Sequence, residues 1–415
     1  MKKNAIYAQS GGVTAVINSS ALGVIHACQK HSEQIDNIYA GQNGILGILE
    51  ENIIDISLEK QQDLDNLLFT PGGAFGSCRY KINPSNKNEY QRIIEVLKAY
   101  NIGYFFYNGG NDSADTCLKI ANLAKDTGYD LKAIHIPKTI DNDLVITDNC
   151  PGFGSVAKYV VTSIMEASYD IASMYKTSTK VFIMEVMGRH AGWIAASSGL
   201  ASDTNNQSPH IILFPEIIFE PNKFLAKVKQ TISLHGYCVI VASEGIKNIN
   251  SQLVCNSNDV DAFGHSMLGG VATYLADLIK KELHYKCHYA ICDYLQRSSR
   301  HIASKIDVEQ AYQLGIKAVE YALKGHTSIM PYIKRLTNNP YSWAIDITNL
   351  NEVANKEKFM PRDFITEDGF HITNKCREYI EPLINGESIP QFINGKPHYT
   401  VLKNTILPKK LPKYL

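Results

Sequence analysis

Pro137-Lys138-Thr139-Ile140-Asp141-Asn142-Asp143 follows directly on the apolar run Leu131 to Ile136, which reads as a strand. Pro137 removes a backbone donor, and Thr139, Asn142 and the two aspartates compete for backbone hydrogen bonds, so these residues form a loop and not a helix. A loop that packs a cation, a hydroxyl and two carboxylates belongs at the carboxyl end of a strand in an open α/β sheet, where ligands bind. Taken alone, the seven residues also fit a plain turn ahead of a helix N-cap. The rest of the chain decides between the two.

The same grammar recurs upstream. Ala5 to Ala8 reads as a strand, and Gln9-Ser10-Gly11-Gly12-Val13-Thr14 turns from it into a helix expected from Thr14 to Gln29. Two adjacent glycines let the backbone approach an anion at the start of a helix, a phosphate cradle without a Walker lysine. A second glycine-rich loop, Thr70 to Ser77, closes on Arg79, whose guanidinium either grips phosphate oxygens in pairs or simply sits on the surface. The strand Ile102 to Tyr107 ends in Asn108-Gly109-Gly110-Asn111-Asp112-Ser113. There Asn111 and Asp112 offer oxygen ligands suited to Mg²⁺, and Ser113 can cap a helix or bond a phosphate. Strand, Gly/Asp loop and helix in alternation predict a parallel sheet with helices on both faces.

At 415 residues the chain exceeds what one core supports, so two domains are expected. The first covers 1–152 and the second begins at 153. Pro151 to Ser155 is the passage between them, with a helix from about Ser155 to Met174. The strand Lys180 to Val186 then runs into Met187-Gly188-Arg189-His190-Ala191-Gly192-Trp193 and a helix from Ile194 to Ser202. Arg189 and His190, at a strand's carboxyl end, are well placed for a substrate phosphate or hydroxyls, although His190 taken alone reads more readily as a helix-start or core histidine than as a catalytic group. The strand Cys238 to Ser243 presents Glu244 at its end, where a carboxylate can accept hydrogen bonds from sugar hydroxyls. A short basic and aromatic stretch, Lys286 to Tyr289, leads to Asp293 and Tyr294, and a scaffold helix is expected over Val308 to Leu323. Beyond about Asn338 no motif is readable.

Hydrophobic content of 45% with 20% charged residues excludes a disordered chain. Lys+Arg 41 against Asp+Glu 41 leaves no composition-level case for nucleic acid or a membrane surface. The nine cysteines form no Cys-x-x-Cys pair, and Cys28, Cys117 and Cys238, which lie in apolar runs, read as small core residues in a reducing cytosol. No apolar run approaches the ~20 residues that span a bilayer, so a cytoplasmic protein is expected. A dinucleotide-binding oxidoreductase is disfavoured, because no Gly-x-Gly-x-x-Gly follows the first strand.

Gly11-Gly12-x-Thr14 with Asn18, the Gly-Gly-Asn-Asp-Ser run, Pro137 to Asp143, Met187 to Trp193, Glu244 within Ser-Glu-Gly, and Tyr294-Leu295-Gln296-Arg297 occur in that order. This resembles the phosphofructokinase family over about residues 5 to 325. The resemblance implies two similar Rossmann-like lobes with mainly parallel sheets and the site in the cleft between them, the first lobe, 1–152, completed by a segment after about residue 296 and the second, 153–295, completed by part of 330–415. It implies phosphoryl transfer to the 1-hydroxyl of fructose 6-phosphate. Asp141 matches the base, with Asp143 supporting it or the metal. Gly12 and Arg79 match donor-phosphate contacts, with Mg²⁺ near Asn111 and Asp112. Thr139, Ile140 and Asp141, then Met187, Gly188, Arg189 and Glu244, then Tyr294, Leu295, Gln296 and Arg297 match contacts to the sugar phosphate.

The chain also departs from the family. Asn111 replaces the usual metal-site aspartate, Asp293 a glycine, and Lys180 and His288 stand where many members have arginines that reach a neighbouring subunit's sugar phosphate. A homodimer or homotetramer is therefore expected, and a longer acceptor such as sedoheptulose 7-phosphate, or a non-catalytic sugar-phosphate binder, stands as an alternative. In ATP-using members the positions of Asp112 and Lys138 are glycines, which leave room for the α-phosphate of the nucleotide. A carboxylate and an ammonium there imply pyrophosphate as the donor, with ATP the alternative. Asp112 and Lys138 could otherwise pair with each other as a structural salt bridge.

Overall fold

The computed structural model describes residues 2–82, 86–203, 207–255 and 269–414. The first lobe is built on a seven-stranded sheet of order β11-β10-β5-β4-β1-β2-β3. Its strands are β1 (Lys3–Gln9), β2 (Ile35–Gly41), β3 (Ile53–Asp55), β4 (Ile102–Gly109), β5 (Lys132–Pro137), β10 (Ile329–Asn338) and β11 (Tyr341–Asn349). From β10 through β2 the neighbours run parallel, and the antiparallel β3 and β11 close the two edges. The second lobe has a four-stranded, all-parallel sheet of order β7-β8-β6-β9, from β6 (Val181–Val186), β7 (Ile211–Leu213), β8 (Cys238–Ser243) and β9 (Cys287–Ile291).

Side chains alternate across these strands, which is why the strands read as continuous apolar runs. Ile6, Phe105 and Ala133 enter the core on one face of the first sheet, while their neighbours Tyr7, Phe106 and Ile134 enter the core on the other. Met184, Val186, Val239 and Val241 do the same against Ile183, Ile240 and Ala242 in the second sheet.

Helix ends differ from expectation by two or three residues. The first helix spans Ile17–Lys30, not Thr14 to Gln29, because residues 13–16 remain a turn that keeps the glycine loop open. The interlobe helix starts at Phe153, and its first-turn amides are held from a distance. Gly152 N and Ser155 N each donate to a carboxylate oxygen of the buried Asp307 at 2.9 Å. Asp307 sits on the helix Lys305–Leu323, which lies on the helix Ile17–Lys30. Gly23 and Gly315 make that crossing possible, since a Cβ on Gly23 would lie 2.1 Å from the Tyr312 carbonyl oxygen.

The part of the chain beyond Asn338 that carried no motif knits both lobes together. After β10 and β11 join the first sheet, Met360, Phe364, Ile372 and Ile380 enter the core of the second lobe. The chain then returns, and Leu407, Leu411 and Tyr414 pack on the first-lobe core. Buried Glu51 fastens this last stretch by accepting from the amide of Leu411 at 3.2 Å, from that of Lys410 and from the Tyr100 hydroxyl at 3.0 Å. No helix of the described residues is long and apolar enough to cross a membrane.

Candidate active site

The carboxyl ends of β1, β4 and β5 and the loop 70–79 are stitched into one platform. Ser10 N donates to Asn108 O at 2.9 Å, Lys138 N to Gly109 O at 2.9 Å and Gly11 N to Cys78 O at 2.9 Å. Above this platform lies a cleft of about 1190 Å³, walled by the carboxyl ends of strands from both lobes.

Its first-lobe wall carries Gly12, Arg79, Asn111, Asp112 and Lys138, then Thr139, Ile140, Asp141 and Asp143. Met187, Arg189, Glu244, Tyr294, Gln296 and Arg297 face them from the second lobe. Gly188 and Leu295 do not line it. Gly188 instead donates its amide to Glu244 Oε1 at 3.3 Å, and Gln296 Oε1 accepts from Met187 N at 3.2 Å, so both shape the second-lobe wall. Lys180 and His288 lie away from the cleft. Lys180 precedes β6, whose six residues span about 20 Å, and its ammonium rests 5.3 Å from the Tyr175 ring. His288 is exposed on the edge strand β9.

At the donor end Lys138 is buried, and its ammonium donates to the carbonyls of Ser10 at 2.9 Å and Gly12 at 2.6 Å. The carboxylate of Asp112 lies 3.6 Å from Lys81. The alternative in which Asp112 and Lys138 pair is therefore wrong, because the carbonyls of the glycine loop have already captured the ammonium. Arg297 bends over the Tyr294 ring, 3.9 Å from its centroid, and its Nη1 lies 2.4 Å from where a Cβ on Gly12 would stand. A side chain at position 12 would displace the Arg297 guanidinium from this place.

The profile of the phosphofructokinase family matches residues 4–322. The chain belongs to that family. It is 56% identical over 413 residues to the pyrophosphate–fructose 6-phosphate 1-phosphotransferase of Halomonas elongata, covering 99% of each chain. It is 55% identical over 411 residues to that of Methylococcus capsulatus, covering 99% of this chain and 98% of the relative. A solved pyrophosphate-dependent phosphofructokinase from Nitrosospira multiformis, 55% identical, superposes with a TM-score of 0.93 over 100% of both chains.

In this phosphofructokinase the charges of the cleft have been moved toward neutrality. Burial, and next the Arg297 charge, bring the Lys138 ammonium down to about 7. Burial raises the Asp141 carboxyl, against a hydrogen bond from Thr139 and the charges of Lys138 and Arg189. Burial and then the Asp141 charge raise Asp143 and Glu244, each to about 7. A base meant to take a proton from a hydroxyl works best in that range.

The oxygen ligands fit a hard cation. Asn111 Oδ1 is buried without a hydrogen-bond partner beside the partly exposed Asp112, while no group of three His, Cys, Asp or Glu side chains gathers anywhere among the described residues. A Mg²⁺ held here would keep most of its shell from water and phosphate oxygens.

Sequence reasoning missed several lining residues. His190, well placed for a substrate from its position at a strand's end yet read on its own as a helix-start or core histidine, is half exposed in the cleft and pairs with Glu357, Nδ1 to Oε1 3.0 Å. Glu357, Asn355 and Phe359 enter from the stretch beyond Asn338, where position in the sequence gives no hint of the cleft. Glu185 holds the start of the helix Val271–Leu283, accepting from Ala272 N at 2.7 Å and Gly270 N at 3.1 Å. Its place at the end of an apolar strand, like that of Glu244, was the available signal.

Proposed function

We propose that the chain moves a phosphoryl group from pyrophosphate to the 1-hydroxyl of fructose 6-phosphate, giving fructose 1,6-bisphosphate and phosphate, and runs in both directions. The observation that carries this reading is the Lys138 ammonium, pinned between two carbonyls of the glycine loop with the Asp112 carboxylate across from it. The ammonium neutralises the leaving phosphate, and Asp112 puts negative charge where the α-phosphate of a nucleotide would have to sit.

Asp141 accepts the proton of the sugar 1-hydroxyl as its oxygen attacks the terminal phosphorus, and the bond from that phosphorus to the bridging oxygen breaks. Thr139 Oγ1, accepting from Asp141 N at 3.1 Å, keeps the carboxylate turned into the cleft. Asp143 supports it. Gly12 and Arg79 take the donor, while Glu244 accepts from sugar hydroxyls and Arg189, Tyr294 and Arg297 take the sugar phosphate. Asn111 and Asp112 would hold Mg²⁺, which would supply charge neutralisation to the donor oxygens. The same reading makes the protein a cytoplasmic homodimer or homotetramer, with Lys180 and His288 reaching a neighbour's site.

Steady-state assays with fructose 6-phosphate and either pyrophosphate or ATP, at equal Mg²⁺, test the assignment. Pyrophosphate is expected to support turnover at least about 10²-fold faster per unit kcat/KM. Turnover with ATP at or above that with pyrophosphate overturns it.

A further inference from the structure

The stretch Asn355–Phe359 lies beyond residue 322, where the family profile ends, and yet reaches the cleft. It is clamped in place from both lobes. Glu357 forms an antiparallel bridge with Leu144, and the amide of Lys358 donates to Asp143 O at 2.6 Å. The Lys358 ammonium donates to Thr147 O at 3.1 Å and Asp148 O at 2.9 Å, under the loop that carries Asp141. From the second lobe, Trp193 Nε1 donates to Lys358 O at 3.3 Å.

In an extended stretch successive side chains point opposite ways. Lys358 turns under the loop, and Glu357 lines the cleft, where both its oxygens meet His190 Nδ1, at 3.0 and 3.1 Å. The Glu357 side chain stays 38% exposed, and a carboxylate with about four lone-pair sites has engaged one on each oxygen with that hydrogen, leaving about two. With Nδ1 committed, Nε2 is the histidine atom left for a ligand, an acceptor in the neutral ring and a donor in the cation. His190 also follows Arg189 directly, and both charges act on Asp141. An ion pair this exposed contributes little to stability, so its value to the molecule lies in what it faces.

We propose that Glu357 and His190 are a further acceptor-recognition pair: the carboxylate accepts a hydroxyl of the sugar phosphate and holds the imidazole against the same ligand. The pair rests on the proposed transfer to a sugar phosphate. It joins the lobes directly, since His190 follows β6 while Glu357 is bridged to the catalytic loop of the first lobe.

The test measures KM for fructose 6-phosphate and for pyrophosphate separately on the full-length enzyme, together with thermal melting. Glu357→Ala is expected to raise KM for the sugar phosphate about tenfold, the loss of one hydrogen bond to a charged group, and to leave KM for pyrophosphate within about twofold. Glu357→Gln, which keeps a carbonyl acceptor, recovers part of the loss. Adding His190→Ala to Glu357→Ala costs no more than the larger single effect, because the two share one ligand contact. An unchanged KM for the sugar phosphate in Glu357→Ala overturns the pair. So does an equal rise in both KM values with a lowered melting temperature, the mark of a mere clamp. Wild-type enzyme that fails to turn over pyrophosphate with fructose 6-phosphate removes the functional reading itself, before any variant is made.

Discussion

Lys138 Nζ donates to the carbonyl oxygen of Gly12 at 2.6 Å, so the buried cation of the cleft is fixed by the glycine loop proposed to cradle the donor. Lys138→Gly should therefore lower pyrophosphate-dependent kcat about 10²–10³-fold, the scale of losing one preorganised charge at a leaving group. Asp112→Gly should gain measurable ATP-dependent turnover. The double variant, assayed with both donors at equal Mg²⁺, checks whether these two side chains suffice to exclude the nucleotide; no ATP activity at all would mean that they do not.

Replacing Asp141 by Asn keeps the loop, because the backbone amide of residue 141 still donates to Thr139 Oγ1 and the amide oxygen of Asn can accept from the Thr139 hydroxyl as Asp141 Oδ2 does at 3.3 Å. The expected outcome is a kcat lower by about 10²–10⁴-fold, with sugar-phosphate affinity by equilibrium titration nearly unchanged. A loss of less than about tenfold would move the base to Asp143.

The pH profile should be bell-shaped. The lowered pKa of Lys138, about 7, means its charge is lost as pH rises through that value, and the raised pKa of Glu244, about 7, means its charge is lost as pH falls through it. kcat/KM, which reports the free enzyme, then falls on both sides of neutrality. Bound pyrophosphate places anionic oxygens beside the ammonium, so the alkaline limb of kcat moves to higher pH. Glu244→Gln should remove Glu244's part of the acid limb of kcat/KM for the sugar phosphate and leave the part set by Asp141 and Asp143, measured across about pH 5.5 to 9.5.

Arg300 is buried, giving two hydrogen bonds to Leu68 O and two to the backbone and side chain of Ser388, and so ties the C-terminal segment to the first lobe. Arg300→Leu strands those carbonyls without donors. It should cost about 2–4 kcal/mol of stability, read as a lower denaturant midpoint at constant slope.

Lys180 and His288 sit off their own cleft, so Lys180→Ala and His288→Ala should raise KM for the sugar phosphate only through a neighbour. Sedimentation at assay concentration should give at least a dimer. A fully active monomer would defeat this expectation.

Much of the site was legible because function forces chemistry onto strand ends. Pro137 to Asp143 and Gly109 to Ser113 stand out as polar and glycine-rich interruptions of apolar runs, and both lie where β5 and β4 end. The hairpin of β10 and β11 was not read, although Trp343, Ile345 and Ile347 alternate toward the core across the Asn339-Pro340 turn. Long edge strands carry charges on their open face, and Lys334 and Asp346 masked the period. Glu357 could not be read at all, since what brings it to His190 is the bridge to Leu144, a contact between segments far apart in sequence.

Ile329 of β10 pairs with Ile134 of β5, and the chain makes them roughly two hundred residues apart, an interval of about 10–40 s at ordinary elongation rates. For that time the nascent chain carries β5 with one ladder of amides and carbonyls open, at the edge of a sheet otherwise already synthesised from β1 to β4. Closing so distant a parallel pair is slow, and an open strand edge recruits other chains. Production of this enzyme should therefore be limited at the ribosome and in early refolding, where shielding that edge raises yield without changing the finished molecule.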